Sequence, residues 1–528
     1  MQGLMMDMPL LISGLIRHAD RHHGATEIVS KTVEGGIHRY TYREAHTRAR
    51  RLANALKKLG VRPYDRVATL AWNGFRHYEI YYAVAGSGAV IHTINPRLFP
   101  DQIAYIANHA EDKVVFYDTT FAPLIEKLKP QLKSVQHFIP LDASYEKLLE
   151  NDDFEWPTFD ENTAACLCYT SGTTGNPKGA LYSHRSTMIH AYAAALPDTL
   201  NLSAREVVLP VVPMFHVNAW SLPYSCTLVG AKMVFPGPHL DGKSLHELFE
   251  SEAVTMSAGV PTVWLGLLNY LKQNNLRFST LKSTVIGGSA CPPAMIRAFQ
   301  DDYGVQVLHA WGMTEMSPLG TAGTLKAKQQ KLGKEERYAI QNKQGRAIFG
   351  VDMRIVDENG NELPWDGKAF GNLEVRGPWV IKSYFKDEGG DPLHDGWFPT
   401  GDVCTIDPEG YIQITDRSKD VIKSGGEWIS SIDLENIAVA HPAVAEAAVI
   451  GVKHPKWDER PVVVVVKKPG AEISKAELLE FYEGKIAKWW MPDDVIFVSD
   501  LPHTATGKLS KLTLRQQLKD FKLDTRQN

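Results

Sequence analysis

A short stretch after an apolar run combines glycines, hydroxyl side chains and one lysine. Residues 170–179 read TSGTTGNPKG and contain three glycines, four hydroxyl residues and Lys178. Glycines let the backbone point several N–H groups into one concavity, hydroxyls add donors, and a lysine supplies positive charge. This combination predicts a loop that holds a triphosphate, although its spacing is not that of a Walker loop. The alternative is a Gly-Pro surface turn, and the strand-like run directly before the loop favours the phosphate interpretation.

A strand candidate further along the chain ends in a second polar group. Residues 309–315 read HAWGMTE, so Thr314 and Glu315 follow a Gly-Met turn. Glu315 could hold Mg²⁺ beside phosphate oxygens, because Mg²⁺ favours carboxylate and phosphate ligands. Thr314 could donate a hydrogen bond to a phosphate, and Trp311 offers a ring on which an adenine could stack. The simpler alternatives are a surface carboxylate for Glu315 and a core side chain for Trp311.

These residues require a fold that brings the ends of several strands together. Over the first two-thirds of the chain, short apolar runs alternate with longer amphipathic ones, and residues 41–60 show a helical apolar face with a Gly stop. Strands that alternate with helices predict an α/β fold with parallel, helix-flanked sheets, in which ligands bind beyond the carboxyl ends of strands. The strand candidates are RVATLAW, KVVFYD, AACLCYTSG, EVVLPVVPMF, AKMVFPG, STVIGGS and VQVLHAWG.

The pattern changes near residue 345. Shorter strands with hairpin turns follow, among them a turn at Asn359-Gly360, and they predict a small β-rich subdomain. After about residue 417, a helix candidate (DLENIAVAHP) and two β-rich runs (VAEAAVIGV and RPVVVVVKK) predict a small α+β domain of roughly 110 residues. We place the boundary within DRSKDVIKSGG and expect domains at residues 1–416 and 417–528.

The composition limits the class of protein. The 528 residues allow two or more domains, and 44% hydrophobic with 22% charged residues is ordinary for a soluble globular protein. The net charge of -4 gives no basic excess for nucleic acid. The five cysteines suggest no disulfide framework, and no Cys/His cluster has zinc spacing. The early apolar run PLLISGLI is too short to span a membrane and lacks a signal-peptide pattern, so we expect a cytoplasmic protein.

Five motifs, in order along the chain, resemble those of the adenylate-forming superfamily of acyl-CoA synthetases, adenylation domains and luciferases. Residues 169–184 resemble its phosphate loop, and residues 309–315 resemble its aromatic-Gly-x-Thr-Glu motif. Residues 399–402 (PTGD) resemble its ribose-binding turn, and residues 416–430 resemble its interdomain hinge. Residues 503–511 (HTATGKLSK) resemble its C-terminal segment with a catalytic lysine. The resemblance extends from about residue 10 to about residue 520.

The resemblance implies a nucleotide site. It implies that Asp402 accepts hydrogen bonds from both ribose hydroxyls and that Arg417 contacts ribose or phosphate. A capping role for Asp402 and a solvated charge run around Arg417 are the alternatives. The implied Mg²⁺ ligands are Thr170 and Glu315. The predicted nucleotide- and CoA-binding residues are Thr170, Ser171, Gly172, Thr173, Thr174, Gly175, Lys178, Gly288, Ser289, His309, Ala310, Trp311, Gly312, Met313, Thr314, Asp402, Ile414, Arg417, Lys423, Gly425, Gly426 and Trp428.

Two lysines of the C-terminal part would govern the reaction cycle. The resemblance implies that Lys508 enters the active site for the first half-reaction, where it would bridge the substrate carboxylate and the α-phosphate. Lys419 would be the hinge about which the small domain then turns, which withdraws Lys508 and presents KSGGEW to the site. Gly425 and Gly426 would let the pantetheine pass close to the backbone. Trp428, where some short-acid relatives carry Arg, would form a wall of the thiol tunnel.

Two further stretches bear on the acid. Residues 213–220 (PMFHVNAW) place His216 and Trp220 after one strand candidate, and residues 287–293 (GGSACPP) follow another. In fatty acyl-CoA synthetases the matching segments line the acyl pocket, and an aromatic residue at the Trp220 position gates the tunnel; a core position for Trp220 is the alternative. The predicted acid-binding residues are His216, Trp220, Gly288 and Gly312. The predicted catalytic residues are Lys508, Thr314, Glu315 and His216.

The sequence therefore predicts an ATP-dependent acid–CoA ligase that uses ATP, Mg²⁺ and coenzyme A. A carboxylate would attack the α-phosphate to give an acyl-adenylate and pyrophosphate, and the CoA thiol would then displace AMP. Within the family, three stretches are most similar to the 3-methylmercaptopropionate–CoA ligases of dimethylsulfoniopropionate breakdown: PMFHVNAW, GVPTVW and GEWIS. Medium- or long-chain fatty acids are the alternative substrates. A different acceptor, or a non-catalytic nucleotide sensor, fits less well, because a sensor has no need for Lys508. We expect a homodimer, by the same resemblance.

Overall fold

The computed structural model describes residues 1, 3–149, 153–170, 176–424, 427–503 and 509–523. Its strands, in chain order, are β1 (Glu27–Lys31), β2 (Ile37–Thr41), β3 (Arg66–Leu70), β4 (Val90–Thr93), β5 (Asp112–Tyr117), β6 (His137–Pro140), β7 (Ala164–Tyr169), β8 (Gly179–Ser183), β9 (Val207–Pro210), β10 (Lys232–Phe235), β11 (Met256–Gly259), β12 (Ser283–Ile286), β13 (Gln306–Gly312), β14 (Leu319–Ala322), β15 (Arg346–Ala347), β16 (Asp352–Val356), β17 (Gly371–Arg376), β18 (Phe398–Ile406), β19 (Ile412–Arg417), β20 (Ile422–Ser424), β21 (Glu427–Ile429), β22 (Val444–His454), β23 (Asp458–Lys467) and β24 (Asp494–Val498).

Helices connect most of these strands. The α-helices are Ile12–His23, Tyr42–Lys58, Phe75–Gly86, Pro100–Ala110, Ala122–Leu128, Ala143–Glu146, His184–Ala195, Leu222–Val229, Gly242–Ser251, Pro261–Asn274, Pro293–Arg297, Lys334–Gln341, Ser431–Val439, Lys475–Tyr482 and Lys511–Gln517. Short 3-10 turns are Thr119–Phe121, Lys129–Gln131, Thr314–Met316, Gln329–Lys331, Phe385–Asp387 and Lys488–Trp490, and Ala298–Asp302 is a π-helical turn. Within the described part of the chain, no helix is long and apolar enough to cross a bilayer.

The helix Tyr42–Lys58 shows how the sequence specifies these elements, and it confirms the helix predicted over residues 41–60. Thr41 accepts a hydrogen bond from the Glu44 backbone while the Glu44 side chain reaches back to the backbone of Thr41, so the first turn is capped. Alanines and leucines at helical spacing then form one buried face, which includes Leu52 and Leu56. Full burial of each leucine contributes about 1.5–3 kcal/mol to stability.

The N-terminal region contains two sheets that are mostly parallel, as the α/β prediction requires. One has the order β6-β5-β3-β4-β7-β8 and is parallel except between β7 and β8. The other has the order β15-β14-β13-β12-β11-β9-β10-β1-β2 and is parallel from β13 to β1. Strands such as β4 and β11 are buried at every position, because helices cover both faces of the sheets. The predicted fold class is confirmed.

Two smaller sheets follow, and they confirm the β-rich subdomain and the α+β C-terminal region. The antiparallel sheet β16-β17-β18-β19 ends at Arg417. The next strand, β20, pairs with β21 and β23 in a different sheet, which also contains β22 and β24. This C-terminal sheet and its helices have a hydrophobic core of their own, which includes Leu434, Val463 and Tyr482. The chain therefore passes from one sheet to the other within residues 418–421.

Candidate active site

A cavity of about 760 Å³ lies at the carboxyl ends of strands from both parallel sheets. Its walls come from the ends of β7, β12 and β13, from β18, and from the residues that follow β19. This volume is in the usual range for a small-molecule site. The predicted site residues that line it are Thr170, Lys178, His216, Trp220, Gly288, Ala310, Trp311, Gly312, Met313, Thr314, Glu315, Arg417 and Lys419. Predicted residues from three of the five motifs and from both stretches expected to bind the acid thus share one cavity.

Other predicted residues lie away from this cavity. His309 is buried, and its Nε2 accepts a hydrogen bond from the Cys291 backbone at 3.3 Å while Nδ1 lies 3.2 Å from the Asn342 carbonyl oxygen. Burial lowers the pKa of His309 to about 4, so the ring is neutral and donates through Nδ1. Ile414 lines a second cavity of about 500 Å³. Ser289 is exposed.

The remaining predicted residues lie in the phosphate loop and in the C-terminal region. Ser171, Gly172, Thr173, Thr174, Gly175, Gly425, Gly426 and Lys508 lie outside the described residues. The backbone of Trp428 pairs with Lys423 in the hairpin of β20 and β21. The ammonium of Lys423 lies 2.9 Å from Glu358 Oε1, and Lys423 is not among the residues that line the cavity.

The base of the predicted phosphate loop is closed by two hydrogen bonds. The Thr170 backbone N–H donates to the Lys178 carbonyl at 2.9 Å, and the Lys178 N–H donates to Thr170 Oγ1 at 3.0 Å. These contacts connect the end of β7 to the start of β8. The Lys178 ammonium lies 4.9 Å from the centre of the Tyr384 ring, where it faces the aromatic π system. The lysine charge is thus placed at the cavity wall.

Glu315 is a buried carboxyl group beside this loop. It lies in the turn Thr314–Met316 that follows β13, and the Tyr384 hydroxyl donates to Glu315 Oε1 at 2.8 Å. Burial raises the pKa of Glu315, and the hydrogen bond from Tyr384 opposes that rise. Tyr182 donates to the Thr314 carbonyl oxygen and so fixes the same turn. The turn therefore holds one acidic oxygen donor at the cavity.

These donors fit Mg²⁺ that arrives with a nucleotide. Among the described residues, no group of three or more His, Cys, Asp or Glu side chains could hold a metal ion. Mg²⁺ commonly binds through one or two carboxylates together with phosphate oxygens and waters, and Glu315 and Thr170 both line this cavity. The residues present are thus compatible with the ion that the sequence predicts.

Asp402 connects two residues of the cavity wall. The Trp311 indole N–H donates to Asp402 Oδ2 at 2.9 Å, and Arg417 Nε lies 3.0 Å from Asp402 Oδ1. Arg417 also donates to the Thr400 carbonyl at 3.1 Å. From the sequence, Trp311 could be either a core side chain or a surface for adenine. Its ring is largely buried against Gly320, as a core side chain would be, and it also lines the cavity. Asp402 itself is almost fully buried and is held in place by two donors.

Trp220 lines the other, apolar end of the cavity, together with Leu222, Ala258 and Val285. A side-chain carbon built on Gly287 would lie 2.9 Å from the Ala310 carbonyl oxygen and 3.3 Å from the Trp220 ring, so only glycine allows this close packing. Residues 217–221 all have positive φ angles, between 46° and 66°. Non-glycine residues rarely adopt this left-handed conformation in succession, and the β-branched Val217 is strained there. The structure thus places Trp220 on a strained turn at the apolar end.

Sequence reasoning missed two residues that support the site. Tyr384, which contacts both Glu315 and Lys178, lies far from both in the sequence and belongs to none of the motifs. Asn218 is buried within the strained turn, and its Oδ1 accepts from the Tyr81 hydroxyl at 3.3 Å and from Cys166 Sγ at 3.2 Å. The sequence did contain a signal for Asn218, which is a polar residue in the apolar stretch PMFHVNAW. A buried amide needs hydrogen-bond partners, so such a residue indicates a structural role.

Comparison with known proteins agrees with this geometry. The model of the AMP-binding enzyme family matches residues 15–385, and that of the AMP-binding enzyme C-terminal domain matches residues 433–508. A 3-methylmercaptopropionyl-CoA ligase of Ruegeria lacuscaerulensis is 56% identical over 98% of this chain and 99% of its own. A medium-chain-fatty-acid–CoA ligase of Ectopseudomonas oleovorans is 52% identical over 99% of this chain and 98% of its own.

Solved structures show the same fold. ATP-bound MatB from Rhodopseudomonas palustris is 27% identical, with a TM-score of 0.82 over 96% of this chain and 99% of its own. The chain belongs to the AMP-binding enzyme family. The class of enzyme expected from the sequence, the AMP-forming acyl-CoA synthetases, is confirmed by these matches.

Proposed function

We propose that this protein is an ATP-dependent acid–CoA ligase that activates 3-methylmercaptopropionate, with medium-chain fatty acids as the second candidate. The observation that carries the proposal is the shared cavity, which Thr170, Lys178, Thr314 and Glu315 line together with Trp220. The names of the two relatives supply the candidate acids. A homodimer and a role in dimethylsulfoniopropionate breakdown are further proposals, which rest on the family resemblance. The cytoplasmic location expected from the sequence is also a proposal.

In the first half-reaction, the residues of this chain would position ATP and the acid. Asp402 would accept the ribose hydroxyls, Trp311 would stack on the adenine, and Thr314 would donate to a phosphate oxygen. The substrate carboxylate attacks the α-phosphate, so the enzyme needs no nucleophile of its own. Catalysis then depends on positioning and on charge stabilisation, to which Lys178 and Lys508 would contribute positive charge.

Glu315 and Thr170 are the proposed oxygen donors for Mg²⁺. When bound, Mg²⁺ would neutralise charge on the phosphate oxygens. Tyr384 would keep the Glu315 carboxylate ionised and oriented, because its hydroxyl donates to Oε1 at 2.8 Å. His216, which lines the cavity beside Trp220, would face the acid carboxylate.

In the second half-reaction, the C-terminal part would turn about Lys419. We propose residues 1–416 and 417–528 as the two domains, since the chain changes sheet just after Arg417. The hairpin with Lys423 and the backbone of Trp428 lies away from the cavity in the present arrangement and would reach it after rotation. The CoA thiol would then attack the acyl carbonyl and release AMP.

The apolar end of the cavity favours a short acid. The Trp220 ring packs against the backbone at Gly287, so it limits the depth available to an acyl chain. Each additional methylene of the acyl chain contributes only about 0.8 kcal/mol to binding. Longer acids are therefore excluded mainly by the position of the Trp220 ring and only weakly by differences in binding free energy. We therefore propose an unbranched thioether acid of four to six chain atoms as the substrate.

A panel of acids tests the proposed function. With Mg-ATP and CoA, we expect AMP formation to peak at 3-methylmercaptopropionate and to fall by about tenfold or more at palmitate, because the Trp220 ring limits the depth of the pocket. The panel would also include propionate, butyrate, hexanoate, octanoate and an aryl acid. A peak at octanoate or longer would reject the thioether acid and favour the fatty-acid candidate. AMP formation with no acid would reject the ligase itself.

Removal of the Tyr384 hydroxyl should change the pH dependence. The hydrogen bond stabilises the ionised form of Glu315, so Tyr384→Phe should raise the pKa of that carboxyl group further. Because the carboxylate is the active form, the acidic limb of kcat/KM should move to higher pH, by about one unit. Tyr338→Phe is the matched control, since the Tyr338 hydroxyl donates to Asp301 Oδ1 at 2.7 Å and neither residue lines the cavity. An acidic limb that stays in place or moves to lower pH would contradict this role of Tyr384.

A further inference from the structure

A buried group of charged side chains joins the helix Lys511–Gln517 to two other parts of the chain. The Lys511 ammonium lies 2.8 Å from Glu435 Oε1 and 3.8 Å from Asp416 Oδ1, and it also donates to Ser431 Oγ. The side chains of Lys511 and Asp416 expose only 10% and 2% of their surface. We refer to Asp416, Ser431, Glu435 and Lys511 as the interdomain cluster.

The interdomain cluster spans the segment that contains Lys419. Asp416 belongs to β19, which pairs with β18, so it is fixed to the antiparallel sheet before Lys419. Glu435 accepts a hydrogen bond from the Val449 backbone in β22 at 2.8 Å, so it is fixed to the C-terminal sheet. Lys511 thus has one carboxylate partner on each side of the proposed hinge.

The buried charge of Lys511 stabilises the contact between the antiparallel sheet and the C-terminal sheet. Burial alone would lower the pKa of Lys511, but the carboxylates of Glu435 and Asp416 outweigh that effect and raise it, so the ammonium stays charged. A buried carboxylate that loses its cation strongly destabilises the arrangement that holds it. A rotation about Lys419 that separates Lys511 from Asp416 would break this ion pair and the hydrogen bond from the Ser431 backbone N–H to Asp416 Oδ2 at 3.2 Å. The interdomain cluster therefore favours the relative placement of the two sheets seen here.

The same lysine lies beside the cavity. Leu509, Ser510 and Lys511 line it, and Lys511 is three residues from Lys508. We propose that Lys511, held between Asp416 and Glu435, is a positioning residue that holds residues 509–511 and the C-terminal sheet against the cavity during acyl-adenylate formation. This inference rests on the proposed function, in which Lys508 acts in the first half-reaction and is withdrawn for the second.

The test separates the two half-reactions in the full-length enzyme. Lys511→Met should lower acid-dependent ATP–pyrophosphate exchange by about tenfold or more, whereas thioester formation from prepared acyl-adenylate and CoA should change by less than about twofold. Asp416→Ala removes the partner on the other side of the hinge and should give the same difference between the half-reactions. Lys511→Arg retains a buried cation and should restore part of the exchange rate.

Lys475→Met is the matched control. Lys475 begins the helix Lys475–Tyr482 and pairs with Asp494 of β24 at 2.8 Å, and neither residue lines the cavity, so both half-reactions should keep their wild-type rates. The proposal is overturned if Lys511→Met and Asp416→Ala leave exchange unchanged. It is also overturned if both variants lose the two half-reactions equally, which would indicate a role in folding alone. A wild-type enzyme without acid-dependent exchange would instead contradict the proposed function.

Discussion

Lys508→Ala is expected to lower acid-dependent ATP–pyrophosphate exchange by about 10²- to 10³-fold, the usual loss when one group that stabilises transition-state charge is removed. Lys508 lies outside the described residues, so the expectation rests on the family resemblance of residues 503–511. Leu509, the next residue of that motif, lines the cavity.

The second half-reaction provides the internal comparison for Lys508→Ala. Thioester formation from prepared acyl-adenylate and CoA should proceed near the wild-type rate, because the proposed rotation about Lys419 withdraws the lysine at that stage. Lys475→Ala should leave both rates unchanged, since Lys475 pairs with Asp494 and does not line the cavity. Exchange that survives the loss of Lys508 would show that another group supplies the charge, and Lys178 would be the next residue to test.

Regular elements were predictable where their residues carry a local signal. The helix Tyr42–Lys58 has both a capping box and an apolar face, and each of the strand candidates quoted for the parallel sheets contains an observed strand. The four-residue strands β4 and β11 were missed, because short apolar runs without alternation do not distinguish a strand from a buried helix end. The order of the strands in each sheet could not be predicted from the sequence either, since it depends on contacts between distant segments.

The site was predictable to the extent that function requires particular residue types in short motifs. Glu315 and Trp311 belong to one such motif, and the structure places both at the cavity. Tyr384 could not be found in this way, because its contact with Glu315 forms only in the folded chain. The left-handed turn at residues 217–221 could not be predicted from the sequence either, because it contains no glycine, the residue that usually adopts this conformation.

Asp402→Asn is expected to raise the KM for ATP by about 10²-fold or more. An ionised carboxylate can accept hydrogen bonds from both ribose hydroxyls, and each bond to a charged group contributes about 1.5–3 kcal/mol. The amide loses the charge that pairs with Arg417 at 3.0 Å, and its nitrogen cannot accept from either Trp311 or a hydroxyl. Initial rates of exchange at varied ATP would measure the effect, and the KM for the acid should change little.

The ribose contact can be separated from the support that Asp402 gives to its neighbours. The wild-type enzyme should prefer ATP to 2′-deoxy-ATP, and Asp402→Asn should reduce that preference, because the contact with the 2′-hydroxyl is already weakened. Trp311→Phe retains a stacking ring but loses the indole N–H that donates to Asp402, so it should raise the KM for ATP only a few-fold and preserve the preference. If Asp402→Asn kept the full preference for ATP, the carboxylate would act through Trp311 and Arg417 rather than through the ribose.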